Sequence, residues 1–290
     1  MYTFGSLFAG IGGIDLGFER AGLKCKWQVE IDDYATQVLE KNWPNVARWR
    51  DVKTFPPQVE KKWDVDIIAG GFPCQDISTA GRGEGLQGER SGLFYEIIRL
   101  ARQLKPRAIV LENVAALLAR GMGDVLGELA KVGYDSEWHC ISAASVGAPH
   151  VRDRVFIIAV LGNANCSPIQ RSGLSSGIQK KYPNINCYSF GRRKQILADS
   201  YGERQPGQRL HGGRVSKEEN QRRKANITFS GRERKENHWY IEPDVGRVAN
   251  GVPRRMDRLK CLGNAVVPQV AQVVGNILIE RLKEHEKTCA

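Results

Sequence analysis

Through residue 161 the chain alternates short apolar runs with amphipathic stretches of helical period. Thr3–Phe8, Cys25–Val29, Val65–Ala69, Arg107–Leu111, Tyr134–Ser142 and Val155–Leu161 read as strands, with a further short strand ending near Asp51. Amphipathic helices are predicted after the glycine turn at 9–13, over Ala35–Trp43 and over Leu93–Leu104. This β/α alternation predicts an α/β protein built on a doubly wound, mostly parallel sheet. Beyond Leu161 the pattern collapses into Gly, Ser, Asn, Arg and Lys, with only short apolar pieces at Gln195–Ala198 and His238–Ile241. Order returns at Val248, and Ala265–Leu282 reads as a long apolar-periodic helix. Such a helix needs a packing partner, and the N-terminal sheet is the simplest one. The expected organisation is therefore one domain from 1–160 plus 248–290, carrying 161–247 as a smaller, irregular insert.

Charge sharpens that division. The formal net charge is +11, and between Leu161 and Arg247 there are 17 Lys/Arg against 8 Asp/Glu, so all but two of the surplus charges fall in the insert. A near-neutral body with a basic insert suits an enzyme carrying a polyanion-binding module, although a solvated linker has the same composition. The seven cysteines are scattered without a CxxC pair, which signals neither a zinc site nor a disulfide framework and suits a reducing cytoplasm. No stretch is seen to approach the roughly 18 apolar residues that cross a bilayer, and the first residues lack a secretory leader's pattern.

Candidate chemistry gathers at strand ends. Gly70-Gly71-Phe72-Pro73-Cys74-Gln75 breaks a buried strand and puts a thiol on a stiff loop, where open α/β sheets bind ligands. Alone, Cys74 reads more readily as a small buried hydrophobe, as most free cysteines are. Phe8-Ala9-Gly10-Ile11-Gly12-Gly13 is a strand-to-helix glycine turn of the kind that brings backbone amides to a nucleotide-like ligand. It departs from GxGxxG because Asp15 stands where the third glycine would be. Glu30, at the end of the second strand, suits ribose hydroxyls, whereas Asp32 and Asp33 suit helix capping. Glu112-Asn113-Val114 ends another strand at the edge that carries Cys74. The glycine-rich 79–92 segment reads as a lid or as a plain surface loop.

These motifs occur in one order: Phe8-x-Gly10-x-Gly12, Pro73-Cys74-Gln75, Arg90-Ser-Gly-Leu-Phe94, Glu112-Asn113-Val114, Arg152-x-Arg154 and Gly263-Asn264-Ala265-Val266-Val267-Pro268. In that order the chain resembles the C5-cytosine DNA methyltransferase family over about 1–160 and 248–290, with the basic insert unmatched. The resemblance implies a catalytic domain that binds S-adenosylmethionine through Phe8, Gly10, Gly12, Glu30, Ile31 and Asp51, closed by Asn264 and Val266. It implies Cys74 as nucleophile on its Pro73 loop, Glu112 as the acid at the cytosine ring, and Arg154 with Arg152 at the base. Where the family often has Gln and Lys this chain has His150 and Val151, and no role carries over to them.

The implied activity is DNA (cytosine-5-)-methylation of a flipped base in a specific duplex site, with no metal. The 161–247 insert would be the target-recognition domain, the protein a monomer near the nucleoid, and a cognate restriction endonuclease a separate partner. A C5-cytosine methyltransferase acting on RNA and a non-catalytic DNA-binding homologue are the alternatives. A nicotinamide-dependent oxidoreductase is disfavoured by Asp15.

Overall fold

A computed structural model describes residues 1–58, 60–73, 92–119, 121–162, 186–189 and 254–289. The described strands are β1 (Thr3–Leu7), β2 (Lys24–Val29), β3 (Ala47–Trp49), β4 (Ile67–Gly71), β5 (Ala108–Val114), β6 (Tyr134–Ser142), β7 (Asp153–Leu161) and β8 (Asn186–Ser189). They form one sheet in the order β3-β2-β1-β4-β5-β7-β6-β8. The pairs from β3 to β5 are parallel, and the β5–β7, β7–β6 and β6–β8 pairs are antiparallel. Every described residue belongs to one compact unit, within Met1–Arg193 and Gly246–Ala290. β8 lies inside the predicted basic insert and extends the sheet as its edge strand.

The central strands are buried on both faces, which explains their continuous apolar runs. Along β5, Ile109 and Leu111 face one core while Ala108 and Val110 face the other, and β7 alternates in the same way. The first core is closed by α3 (Gly92–Leu104) and α4 (Met122–Lys131), through Phe94, Ile97, Ile98, Val125 and Leu129. The second is closed by α1 (Gly13–Arg20) and α6 (Pro268–Cys289), through Ile14, Phe18, Val270, Val273, Val274 and Ile277. Helices on both faces make the sheet doubly wound, as the β/α alternation predicted.

Several elements differ from the sequence reading. The C-terminal helix starts at Pro268 rather than Ala265, and a separate helix, α5 (Arg255–Asn264), precedes it. The stretch Met256–Thr288, across α5 and α6, is also long and apolar enough to cross a bilayer by length and composition, contrary to the expectation that no stretch would be. Its α6 part fills the second core through Val270, Val273, Val274, Ile277 and Leu278, whereas Met256, Leu259 and Leu262 of α5 are exposed. Among the described residues α2 (Asp33–Asn42) is the remaining α-helix, and α4 carries no sequence signal beyond its period.

α6 lies close to α1 because α1 presents small residues to it. A Cβ on Gly17 would stand 2.4 Å from the Ala271 Cβ and 2.5 Å from the Pro268 carbonyl oxygen. Asp15, the residue that breaks the dinucleotide fingerprint, is fully buried beneath the turn. Its carboxylate accepts hydrogen bonds from Ser6 Oγ at 3.0 Å and Gln28 Nε2 at 2.8 Å, tying α1 to β1 and β2. Burial raises its pKa, against the lowering effect of those bonds.

Candidate active site

The C-terminal ends of β1, β2, β4 and β5 bring together most of the predicted site residues. After β1 the backbone turns sharply: Phe8 has φ 53° and Gly10 φ 56°. Positive φ at a bulky aromatic residue is a strained conformation that surrounding structure must impose. At Gly10 a Cβ would project into open space rather than into protein. The turn is therefore a cradle with room beside its backbone.

Glu30 fastens that cradle. Its Oε2 accepts from the Gly10 amide at 2.7 Å and its Oε1 from the Asp32 amide at 2.8 Å. The carboxylate links the β1 turn to the end of β2 while keeping further acceptor capacity for a hydroxyl ligand. Asp32 caps α2, accepting from the Ala35 amide at 3.0 Å, and pairs with Lys260 of α5 at 2.7 Å. Lys260 lowers the Asp32 pKa, chiefly by that hydrogen bond. Asp33 pairs with Arg50 at the surface. Of the two aspartates expected to cap the helix, Asp32 does so and Asp33 pairs with Arg50 instead. Ile31, between them, is 68% exposed, an apolar side chain left uncovered at the mouth of the cradle. Asp51 follows β3 and accepts from the Lys53 amide at 2.9 Å, capping a short 3-10 turn.

The C-terminal segment comes to the same place. α5 ends at Asn264, Val266 is buried in the second core, and the Val266 carbonyl oxygen lies against Gly13, where a Cβ would stand 2.3 Å from it. Arg152, just before β7, donates to the carbonyl oxygens of Gly263 (2.5 Å) and Ala265 (2.9 Å). Its guanidinium is thus engaged with the closing segment, a partner that sequence spacing did not reveal. Burial lowers the Arg152 pKa, with the Arg154 charge acting in the same direction.

Glu112 stands at the end of β5, opposite Gly71 of β4. Arg154 of β7 is paired with it, Nε to Oε1 at 2.9 Å. Burial raises the Glu112 pKa, and the charges of Arg154 and Arg152 oppose that rise. Desolvation and the two guanidinium charges thus act on this carboxyl in opposite directions. Gly71 is needed here for space, since its Cβ would fall 2.6 Å from Glu112 Oε2. That signal could have been found in sequence only as an unexplained second glycine before the proline.

Phe72 is buried against Phe94, and Pro73 is the last described residue of the loop. Cys74 and the predicted 79–92 lid lie outside the described residues. Among the described residues no cluster of three or more His, Cys, Asp or Glu is arranged to hold a metal ion.

The chain is similar to known proteins. The family model for C-5 cytosine-specific DNA methylase matches residues 2–245, running on through the basic stretch that the motif comparison left unmatched. The Type II methyltransferase M.NgoFVII of Neisseria gonorrhoeae is 35% identical over 53% of this chain and 42% of its own length. The Type II methyltransferase M.Eco47II of Escherichia coli is 36% identical over 63% of this chain and 43% of its own. The aligned part of the chain thus spans less than half the length of these curated relatives. Among solved structures, the Entamoeba histolytica methyltransferase EhMeth superposes with a TM-score of 0.57 at 15% identity, covering 97% of this chain and 99% of that one, a likeness of fold. With the family model matched over most of its length, the chain belongs to the C-5 cytosine-specific DNA methylase family.

Proposed function

We propose that the protein is a DNA (cytosine-5-)-methyltransferase that modifies a flipped cytosine in a specific duplex site. The observation that carries this reading is the half-buried Glu112–Arg154 pair beside the Gly71-Phe72-Pro73 turn, at the same sheet edge as the Gly10–Glu30 cradle. The cradle fits S-adenosylmethionine: open space lies beside Gly10, Glu30 has acceptor capacity for ribose hydroxyls, and Ile31 offers an apolar surface to a base. Phe8, Gly12, Asp51, Asn264 and Val266 complete the pocket in this reading. When bound, that co-substrate supplies an electrophilic methyl group.

Carbon 5 of cytosine is too electron-poor to take up that methyl unaided. The Cys74 thiolate would add to carbon 6, making carbon 5 nucleophilic and dividing one hard step into easier ones. Negative charge then grows toward ring N3. Glu112, whose pKa burial raises, would donate a proton or hydrogen bond there while Arg154 holds its carboxyl in place and contacts the base. Methyl transfer to carbon 5 is followed by loss of the carbon 5 proton to a base. The Cys74–carbon 6 bond then breaks, returning the thiolate and leaving 5-methylcytosine. Arg152 holds the 263–265 segment over the cofactor side.

Extruding the base costs a few kcal/mol, which the protein's DNA contacts must offset. The basic 161–247 stretch, one strand of which ends on the sheet, would supply phosphate contacts and base readout as the target-recognition domain. Such an enzyme works as a monomer where the DNA is, in the cytoplasm, and a cognate restriction endonuclease would act separately.

The test uses duplex DNA carrying 5-fluorocytosine at the site found by bisulfite sequencing of DNA from expressing cells. Fluorine cannot leave as a proton, so an SDS-stable protein–DNA adduct is expected, and Cys74→Ser should form none. Absence of an adduct on a proven target, or normal turnover by Cys74→Ser, would overturn the mechanism. A side-by-side assay on RNA of the same sequence decides the alternative substrate.

A further inference from the structure

Asn113 lies between the acid and the rest of its motif, and neither composition nor spacing gives it a task. It is 3% exposed, and both ends of its amide are engaged. Nδ2 donates to the Phe72 carbonyl oxygen at 3.2 Å, and Oδ1 accepts from the Val114 backbone amide at 2.8 Å. Backbone pairing of β4 with β5 ends at the Gly71–Glu112 register. One residue further on, the side-chain amide of Asn113 stands between a carbonyl of the β4 chain and an N–H of β5, and joins them.

That placement has a consequence. Pro73 has no N–H, so the turn after Phe72 cannot be held by a ladder bond from its own next residue. A buried carbonyl at that point needs a donor, and Asn113 supplies it. We infer that Asn113 is a positioning residue: it fixes Phe72, and through the rigid Pro73 the start of the nucleophile loop, in register with the catalytic carboxyl one residue away. The inference rests on the proposed methyltransferase reading and adds to it a tie between the turn that leads into the nucleophile loop and the strand that carries the acid. Gly71 and Asn113 then act as complements. The glycine clears room for the Glu112 carboxyl, and the amide keeps the cleared strand ends tied. Small errors in reacting distance are costly, so loosening this tie should act on the chemical step.

The experiment compares the full-length parent with Asn113→Ala and Asn113→Asp. The aspartate is isosteric and keeps the acceptor for Val114, but it turns the donor facing the Phe72 carbonyl into a second acceptor. Single-turnover methyl transfer at saturating S-adenosylmethionine and DNA, and the rate of 5-fluorocytosine adduct formation, should both fall about ten- to a hundredfold. The dissociation constant for S-adenosylmethionine should stay at the parental value, while the thermal midpoint of Asn113→Asp should fall, so rates are compared at a temperature where both proteins are fully folded. Restoring an amide donor with Asn113→Gln, too long by one methylene, should not recover the rate. Parental rates in Asn113→Asp would overturn the inference while leaving the methyltransferase reading intact, as would a loss confined to cofactor affinity or stability. A parent that traps no adduct would overturn the reading and the inference together.

Discussion

The parallel end of the sheet and its antiparallel end are built on different principles. At the parallel end, β1 and β2 shape the cradle with backbone: a turn at positive φ, a buried carboxylate under it, and a glycine face on α1 that lets α6 approach. At the antiparallel end, β7 runs back along β5 and delivers Arg152 and Arg154, whose charges meet carbonyl oxygens and a carboxylate. The first region depends on the absence of atoms, the second on the presence of charge. Substitutions should therefore fail in different ways: added volume at the parallel end should cost stability, and lost charge at the antiparallel end should cost chemistry or ligand affinity.

The largest effect is expected at the charged end. Glu112→Gln should lower single-turnover methylation by about 10²–10⁴-fold, the usual weight of a general acid–base group, without loss of the fold. Stability should carry the same residue's signature. Because burial raises its folded pKa, the Glu112 carboxyl contributes stability below its unfolded pKa and loses that contribution as pH rises through the higher folded value. The urea midpoint of Glu112→Gln should accordingly gain on that of the parent from acid to neutral pH. Parallel curves would show that Arg154, rather than burial, governs this carboxyl.

Next in size is added volume at the parallel end. Gly17→Ala puts a methyl group 2.4 Å from the Ala271 Cβ, an overpacking worth about 1–3 kcal/mol in urea unfolding. Catalysis in the folded fraction should change less than stability. A large fall in turnover without destabilisation would erase the contrast between the two ends.

Arg152→Ala tests whether the antiparallel end reaches across to the cofactor side. It removes two bonds to the 263–265 carbonyls, each a charge-assisted bond worth on the order of 1.5 kcal/mol or more. S-adenosylmethionine affinity measured by calorimetry should drop about tenfold. Unchanged affinity with slowed adduct formation would return Arg152 to the base. The smallest effect belongs to Lys260→Ala: its pair with Asp32 is exposed, so any change in midpoint should disappear in high salt.

Much of this was legible in the sequence for a physical reason. β1, β4, β5 and β7 are buried on both faces, so each must be a continuous apolar run, and each loop following a parallel strand must open on the ligand edge. Glycine before proline, acid after strand and a glycine turn mark that edge by composition alone. Elements without such a signature were not legible. α4, α5 and β8 are short and mixed in polarity, and β8 joins the sheet only because the edge of β6 is there to receive it.

From the chain alone came the fold class, the strand ends expected to carry chemistry, and the residue types that could act. Left to the tertiary structure were the partners. Glu30 fastening Gly10, Arg152 turning to residues 263 and 265, Asp15 anchoring two strands, and Asn113 reaching Phe72 all join positions separated along the chain. Local pattern follows from burial and backbone conformation, which neighbours in sequence share. A hydrogen bond between distant residues depends on directions that exist only once the sheet has closed them together.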